Sequence, residues 1–300
     1  YRKIMGFLEA WKESERRKPL ILQGARQVGK TYSILEFGRT HYENVAYFNF
    51  ETNPKLNETF EENISPDYLI PILSHIAGQT IVRGKTLIVF DEVQLCERAL
   101  TSLKYFCEDA PEYHIIVAGS LLGVAVNRAR FSFPVGKVDM KTLYPMDMEE
   151  FMLAMGEDAL VEQIKKCFAA DTPLPSALHD AAMQLYRQYL IVGGMPECVT
   201  QFAETKDYIL VRHTQDTILA SYLNDMSKYN NLNEIKKTRF TYDNITVQLS
   251  KKNTRFQYKL IKKGGRASEF ENAIEWLCLS GIVSQVYKVE QIKKPLENYR

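Results

Sequence analysis

Three hundred residues, 45% of them hydrophobic and 25% charged, can build one large or two modest domains around a sizeable core. That composition excludes wholesale disorder, a collagen-like repeat and a disulfide scaffold. Thirty-eight basic residues against 37 acidic ones leave a net charge of +1, so no global field marks a nucleic-acid or membrane partner.

In chain order, Arg2 to Arg16 carries Ile4, Phe7, Leu8 and Trp11 at helical spacing on one face. Pro19 then opens a short apolar strand, Leu20-Ile21-Leu22, that ends at Gly24. A helix is predicted from Lys30, with Tyr32, Ile34, Leu35 and Phe37 as its core face. Val45 to Phe50 reads as a second strand and Thr86 to Phe90 as a third, the latter apolar enough to be buried on both faces. His114 to Ala118 is a fourth strand of the same kind and Lys137 to Leu143 a fifth. Strands separated by helix-length segments predict an α/β fold, a parallel sheet with helices on both faces.

Beyond about residue 145 the pattern turns helical: Met148 to Leu153, Ala159 to Phe168, Leu178 to Ile191 and Lys206 to Met226, broken by Pro173, Pro175 and Gly193-Gly194. The last third changes in charge. Glu234 to Arg266 holds ten basic residues against Glu234 and Asp243, a local +8 that leaves −7 for the rest of the chain. Ala267 to Leu279 reads as a helix and Ile282 to Val289 as an alternating strand. Three regions follow: a core over 1–147, a helical region over 148–228 and a small basic domain over 229–300.

Cys96, Cys107, Cys167, Cys198 and Cys278 are odd in number, far apart and without a CxxC pair, which reads as reduced thiols in a cytoplasmic protein. His41, His75, His114, His179 and His213 show no metal-ligand spacing. The longest mostly apolar run, Ile115 to Val126, is too short to span a bilayer and contains Gly119, Ser120 and Gly123, so no membrane partner is expected. The chain opens at Tyr1 rather than Met, as a piece of a longer protein would.

The strongest chemical signal is Gly24-Ala25-Arg26-Gln27-Val28-Gly29-Lys30-Thr31, a complete GxxxxGK[ST] loop between a predicted strand and a predicted helix. Backbone N–H groups of such a loop cradle phosphates, Lys30 would neutralise β/γ charge, and Thr31 would ligate Mg²⁺ through its hydroxyl. Leu87-Ile88-Val89-Phe90-Asp91-Glu92 delivers two adjacent carboxylates to the carboxyl end of the sheet, where ligands of open α/β sheets bind. Asp91 is placed to hold Mg²⁺ and Glu92 to polarise an attacking water. Ser120 ends the fourth strand, where it would position that water or sense the γ-phosphate; the alternative is a helix cap. Arg128 and Arg130 follow as candidates for a charge-neutralising finger toward a neighbouring copy, or as solvated surface residues. No guanine-reading NKxD is present, which favours ATP.

These residues together resemble the AAA+ branch of P-loop ATPases. More narrowly they resemble a prokaryotic group with an uncharacterised C-terminal region ending in a restriction-endonuclease-like domain. The likeness is carried by Leu20 to Thr31, Phe90-Asp91-Glu92-Val93-Gln94, Ala118-Gly119-Ser120, Phe133 to Val138, Tyr144-Pro145-Met146 and Gly193-Gly194-Met195-Pro196-Glu197. The resemblance implies strand order 5-1-4-3-2, a helical lid after the core and a winged-helix domain near residues 230 to 300. A nuclease-like E-x-K strand is not in view before Arg300. Nor is a second-sensor arginine assignable by motif; Arg187 and Arg212 are candidates.

The expected function is Mg²⁺-dependent ATP hydrolysis that moves the lid and the winged helix, in a homo-oligomer, with the 234–266 segment touching DNA. The alternatives are a nucleotide-gated binding switch with negligible turnover and a P-loop kinase, for which no acceptor-binding motif is legible.

Overall fold

The computed structural model describes residues 2–119, 134–228, 232–251, 255–262 and 264–286, with the side chains of 227, 228 and 232 left aside. The chain divides into two compact units, Tyr1–Tyr222 and Leu223–Arg300.

The first unit is built on a five-stranded sheet of β1 (Leu20–Gln23), β2 (Asn44–Asn49), β3 (Thr86–Asp91), β4 (His114–Ala118) and β5 (Asp139–Thr142). Its order is β2-β3-β4-β1-β5 and every pairing is parallel, as the resemblance implies. Side chains alternate between faces along a strand, yet β3 and β4 are buried at every position, so both faces are covered. Ile21, Ile88, Phe90, Ile115 and Val117 share one core with residues of α3 (Leu56–Glu62), α4 (Pro66–Ala77) and α5 (Glu97–Asp109). On the other face lies α2 (Lys30–His41), so close that a Cβ at Gly38 would stand 2.5 Å from Val45 Cγ2. Helix α1 (Ile4–Glu13) buries Ile4, Leu8 and Trp11 as its spacing predicts.

Four phenylalanines fix the carboxyl end of β3. The Phe90 ring meets those of Phe48, Phe50 and Phe60 at centroid distances of 6.0, 5.9 and 5.5 Å, edge to face in each case. The residues after Phe90 therefore start from an immobile point.

The helical region of the first unit runs through α6 (Met148–Ala154), α7 (Asp158–Ala169), α8 (Ser176–Val192), α9 (Pro196–Thr205) and α10 (Tyr208–Lys228). A capping box starts α6: Asp147 accepts from the Glu150 N–H and Glu150 accepts from the Asp147 N–H. Pro196, which follows Gly193-Gly194, occupies the first turn of α9, a helix the sequence reading passes over.

The second unit starts inside α10 and continues through α11 (Leu232–Leu249), a 3-10 turn at Tyr258–Leu260 and α12 (Ala267–Leu279). Its described residues hold no strand, so the wing of a winged helix is not seen among them. The strand expected from Ile282 is not formed over 282–286. Gly281 takes φ +74° and turns the chain back, so that the Ile282 and Val283 N–H groups bond Leu277 O. The remainder of that expected strand lies outside the described residues. Among the described residues no helix is long and apolar enough to cross a membrane.

Candidate functional site

The loop from Gly24 to Gly29 leaves the carboxyl end of β1 and enters α2, as its motif requires. Gly24 passes so near the end of β5 that a Cβ there would lie 2.2 Å from Leu143 O. Its φ of +149° and the +88° of Gly29 suit glycine alone. Gln27 also takes a left-handed φ of +65°, so the loop is held in a conformation its sequence would not choose unaided.

Lys30 is buried at the first turn of α2, where its Nζ donates to Gly24 O at 2.9 Å and Ala25 O at 2.8 Å. Burial lowers its pKa to about 8, while the Glu92 and Asp91 carboxylates pull the other way. Thr31 Oγ1 donates to Asp91 Oδ2 at 2.8 Å, joining the two halves of the motif across the sheet. A hydroxyl and a carboxylate in contact form a hard-oxygen pair suited to Mg²⁺, and a loop of closely approaching backbone suits phosphate, so these residues fit Mg-nucleotide. Among the described residues no cluster of His, Cys, Asp and Glu offers a separate metal site.

Glu92 breaks the direction of β3. Its φ of +52° and ψ of +37° place a non-glycine residue in the left-handed region, a strain of order 1–3 kcal/mol that the aromatic clamp on Phe90 sustains. The Gln94 amide donates to Glu92 Oε2. Burial raises the Glu92 pKa; the Gln94 hydrogen bond and Lys30 oppose that rise, and the Asp91 and Glu51 carboxylates add to it. Gln94 Oε1 is itself buried without a hydrogen-bond partner.

Five side chains to which the sequence gives no role join the site: Gln94, which lies inside the Phe90–Gln94 motif, and Tyr47, Arg2, Glu150 and Tyr222, which lie outside every motif. Tyr47 Oη donates to Asp91 Oδ2 at 2.8 Å from the edge strand β2. Burial pushes the Tyr47 phenol up to about 12, so it remains a donor at neutral pH. Arg2 straps the loop from the start of the chain: Nη1 donates to Val28 O at 3.0 Å, Nη2 to Tyr144 O at 2.8 Å and Nε to Glu150 Oε1 at 3.1 Å. Glu150, almost fully buried, also accepts the Lys3 N–H at 2.7 Å. Tyr222 on α10 donates to Arg26 O at 3.0 Å.

These contacts give the later motifs a physical role. A Cβ at Gly194 would fall 2.1 Å from Met146 O, and Met146 N–H donates to Gly194 O at 2.6 Å, so Tyr144-Pro145-Met146 and Gly193-Gly194 lock together. Pro196, two residues on, would stand 3.5 Å from a Cβ at Gly29. The helical region thus rests on the phosphate loop. Of the two candidate second-sensor arginines, Arg212 pairs with Asp216 at 3.0 Å within α10 and Arg187 is exposed on α8. Ser120, Arg128 and Arg130 lie outside the described residues.

Residues 16–152 match the family model described as an AAA domain, and residues 183–298 match a domain of unknown function, DUF8612. No curated protein matches the chain. Among solved structures it is similar to the Walker-type ATPase PABY2304 of Pyrococcus abyssi, with a TM-score of 0.56 at 14% identity over 93% of this chain and 89% of that one. It is also similar to the Aeropyrum pernix ORC2 protein (TM-score 0.47, 11% identity, 95% and 87% covered). A further likeness is to the Thermotoga maritima RuvB Holliday junction branch migration motor (TM-score 0.38, 14% identity, 95% and 88% covered). The likeness to the Pyrococcus protein is one of fold, and it spans the stretch, residues 16–152, that matches the AAA domain model.

Proposed function

We propose that the AAA domain of this chain binds Mg-ATP on residues Gly24 to Thr31 and hydrolyses it with Glu92 as the water-activating base. The observation that carries this reading is the convergence of Lys30 and Thr31 from α2 with Asp91 and Glu92 from β3, sealed by the 2.8 Å Thr31–Asp91 hydrogen bond. Loop N–H groups bind the phosphates, and Lys30 turns its ammonium from Gly24 O and Ala25 O toward them. Thr31 and Asp91 hold the cation, which when bound neutralises the developing phosphate charge. Glu92, its pKa raised, accepts a proton from water more readily than an ordinary carboxylate does. Phosphate release from Mg-ATP tests this: Lys30→Ala loses nucleotide binding, and Glu92→Gln keeps binding and loses turnover. A Glu92→Gln variant with full turnover would remove Glu92 from its role.

A switch that binds ATP with negligible turnover is favoured by one observation, the Gln94 amide that holds the Glu92 carboxylate. Tight binding with no phosphate release under any condition would support it. Ser120 as a γ-phosphate sensor, Arg128 or Arg130 as a finger to a neighbouring copy, and membership of the prokaryotic ATPase group quoted above belong to the same proposal.

For the second unit we propose a DNA-phosphate contact that follows the nucleotide state through movement of the helical region. Lys236, Arg239, Lys251, Lys259 and Arg266 are exposed on it, which supports a phosphate-facing surface. Binding to duplex DNA that does not weaken steeply with salt would count against this.

A further inference from the structure

Tyr47 reaches the site from an element that carries no part of the nucleotide motif. Along β2 the register sets Phe48 against Phe90 and Asn49 against Asp91, so Phe48 enters the core and Tyr47 takes the opposite face, 38% exposed. Its hydroxyl proton goes to Asp91 Oδ2, the oxygen that also accepts Thr31 Oγ1, both at 2.8 Å. The other Asp91 oxygen accepts the Glu92 N–H at 3.0 Å. Three of the roughly four lone-pair sites of that carboxylate are therefore engaged by donors from three different segments.

The phenol is itself oriented. Asn49 Nδ2 donates to Tyr47 Oη at 3.2 Å, while Asn49 Oδ1 accepts the Glu51 and Thr52 N–H groups at 2.9 and 3.0 Å. Asn49 thus closes the turn after β2 and fixes the direction of the Tyr47 O–H in one arrangement. A chain of hydrogen bonds runs from that turn through Tyr47 to Asp91 and on to Thr31.

We infer that Tyr47 is a positioning residue for the divalent cation of the nucleotide site, setting the orientation of the Asp91 carboxylate through its hydroxyl and steadied by Asn49. The inference rests on the reading of Lys30, Thr31 and Asp91 as a Mg-nucleotide site. Without the phenol, Oδ2 of Asp91 keeps only the Thr31 hydroxyl as a donor, and Oδ1 keeps the Glu92 N–H. The carboxylate is then less firmly oriented, and cation binding weakens while the phosphate loop is untouched.

Tyr47→Phe keeps the ring and removes one oxygen, so the sheet edge keeps its packing. The full chain is titrated with a fluorescent ATP analogue in chelator, then with Mg²⁺ at fixed nucleotide, and Mn²⁺ binding to the nucleotide complex is counted by electron paramagnetic resonance. Expected for Tyr47→Phe is a rise of roughly three- to tenfold in half-saturating Mg²⁺ and Mn²⁺, with metal-free nucleotide affinity within about twofold of the parent. Asn49→Ala is expected to shift the metal dependence in the same direction and less. If the parent binds Mg-nucleotide, Lys30→Ala abolishes that binding and Tyr47→Phe leaves both metal curves in place, the inference falls and the site reading stands. An equal loss of metal-free and metal-dependent affinity marks Tyr47 as merely structural and also overturns it. A parent chain that binds no nucleotide overturns the site reading and the inference with it.

Discussion

Tyr222 donates a hydrogen bond to the backbone carbonyl of Arg26, at 3.0 Å, across 196 residues of sequence. A phenol on the last helix of the first unit thereby reads the shape of the phosphate loop directly. Tyr222→Phe removes that one bond and leaves the ring. Nucleotide affinity is expected to fall about fivefold, the equivalent of a single net hydrogen bond of about 1 kcal/mol. A titration with labelled ATP checks it, and unchanged affinity would leave the contact without a role in binding.

Arg2 has a larger effect to lose. Its guanidinium serves Val28 O, Tyr144 O and the buried Glu150 carboxylate at once. Truncation strips the loop of its strap and leaves a buried charge short of one donor, a cost of order 3 kcal/mol. Arg2→Ala is expected to lower the thermal midpoint by several degrees and to weaken ATP binding. Arg2→Lys restores little, because a point charge cannot replace a planar fork of donors. Calorimetry and ATP titration of the two variants decide it.

Lys30 carries a pH signature. Its ammonium is the binding form, and its pKa in the nucleotide-free site is lowered to about 8 by burial. Phosphates placed beside it raise that value, so above about pH 8 binding takes up a proton and affinity falls as pH rises, approaching tenfold per unit. Below that pH the Lys30 contribution is flat. Titration calorimetry in two buffers of different ionisation enthalpy, between about pH 7 and pH 9, reads the proton directly. Zero proton uptake at the upper end would refute the assignment.

Gly24→Ala sets a Cβ 2.2 Å from Leu143 O at a φ that disfavours side chains. The neighbour is backbone of the segment leaving β5 and has nowhere to yield. Loss of nucleotide binding with a lowered thermal midpoint is expected. At Gly84, where a Cβ meets nothing within 4 Å, an alanine carries only the strain of its +69° φ and leaves nucleotide binding as it was.

Much of this is legible in the amino-acid sequence alone. The run Thr86 to Phe90, apolar at every position after its first, reads as a strand buried on both faces, and it is one. The loop Gly24 to Thr31 declares itself by its spacing, whereas the hydrogen bond from Thr31 to Asp91 is seen only in the fold. What stayed hidden is held by distance in sequence. No local pattern says that Arg2 and Glu150 will meet, or that Tyr47, one tyrosine in an alternating strand, will turn its hydroxyl onto Asp91. Helix α11 is not legible in the sequence because its polar and charged residues obscure the period, and only Thr238, Thr241 and Gln248 among its described side chains are buried. Gln94 alone stood within a quoted motif, and only its geometry gave it a partner.

The strap on the phosphate loop also bears on how the protein is made. Arg2 leaves the ribosome ahead of Glu150, its buried partner, which is made 148 residues later, and ahead of Tyr222, which is later still. At roughly 5–20 residues per second, tens of seconds separate the first of these groups from the last. For that interval the nascent chain displays its nucleotide motif without the fastenings that shape it. ATP affinity should therefore be acquired stepwise along the growing polypeptide, with full strength arriving only once α10 has emerged.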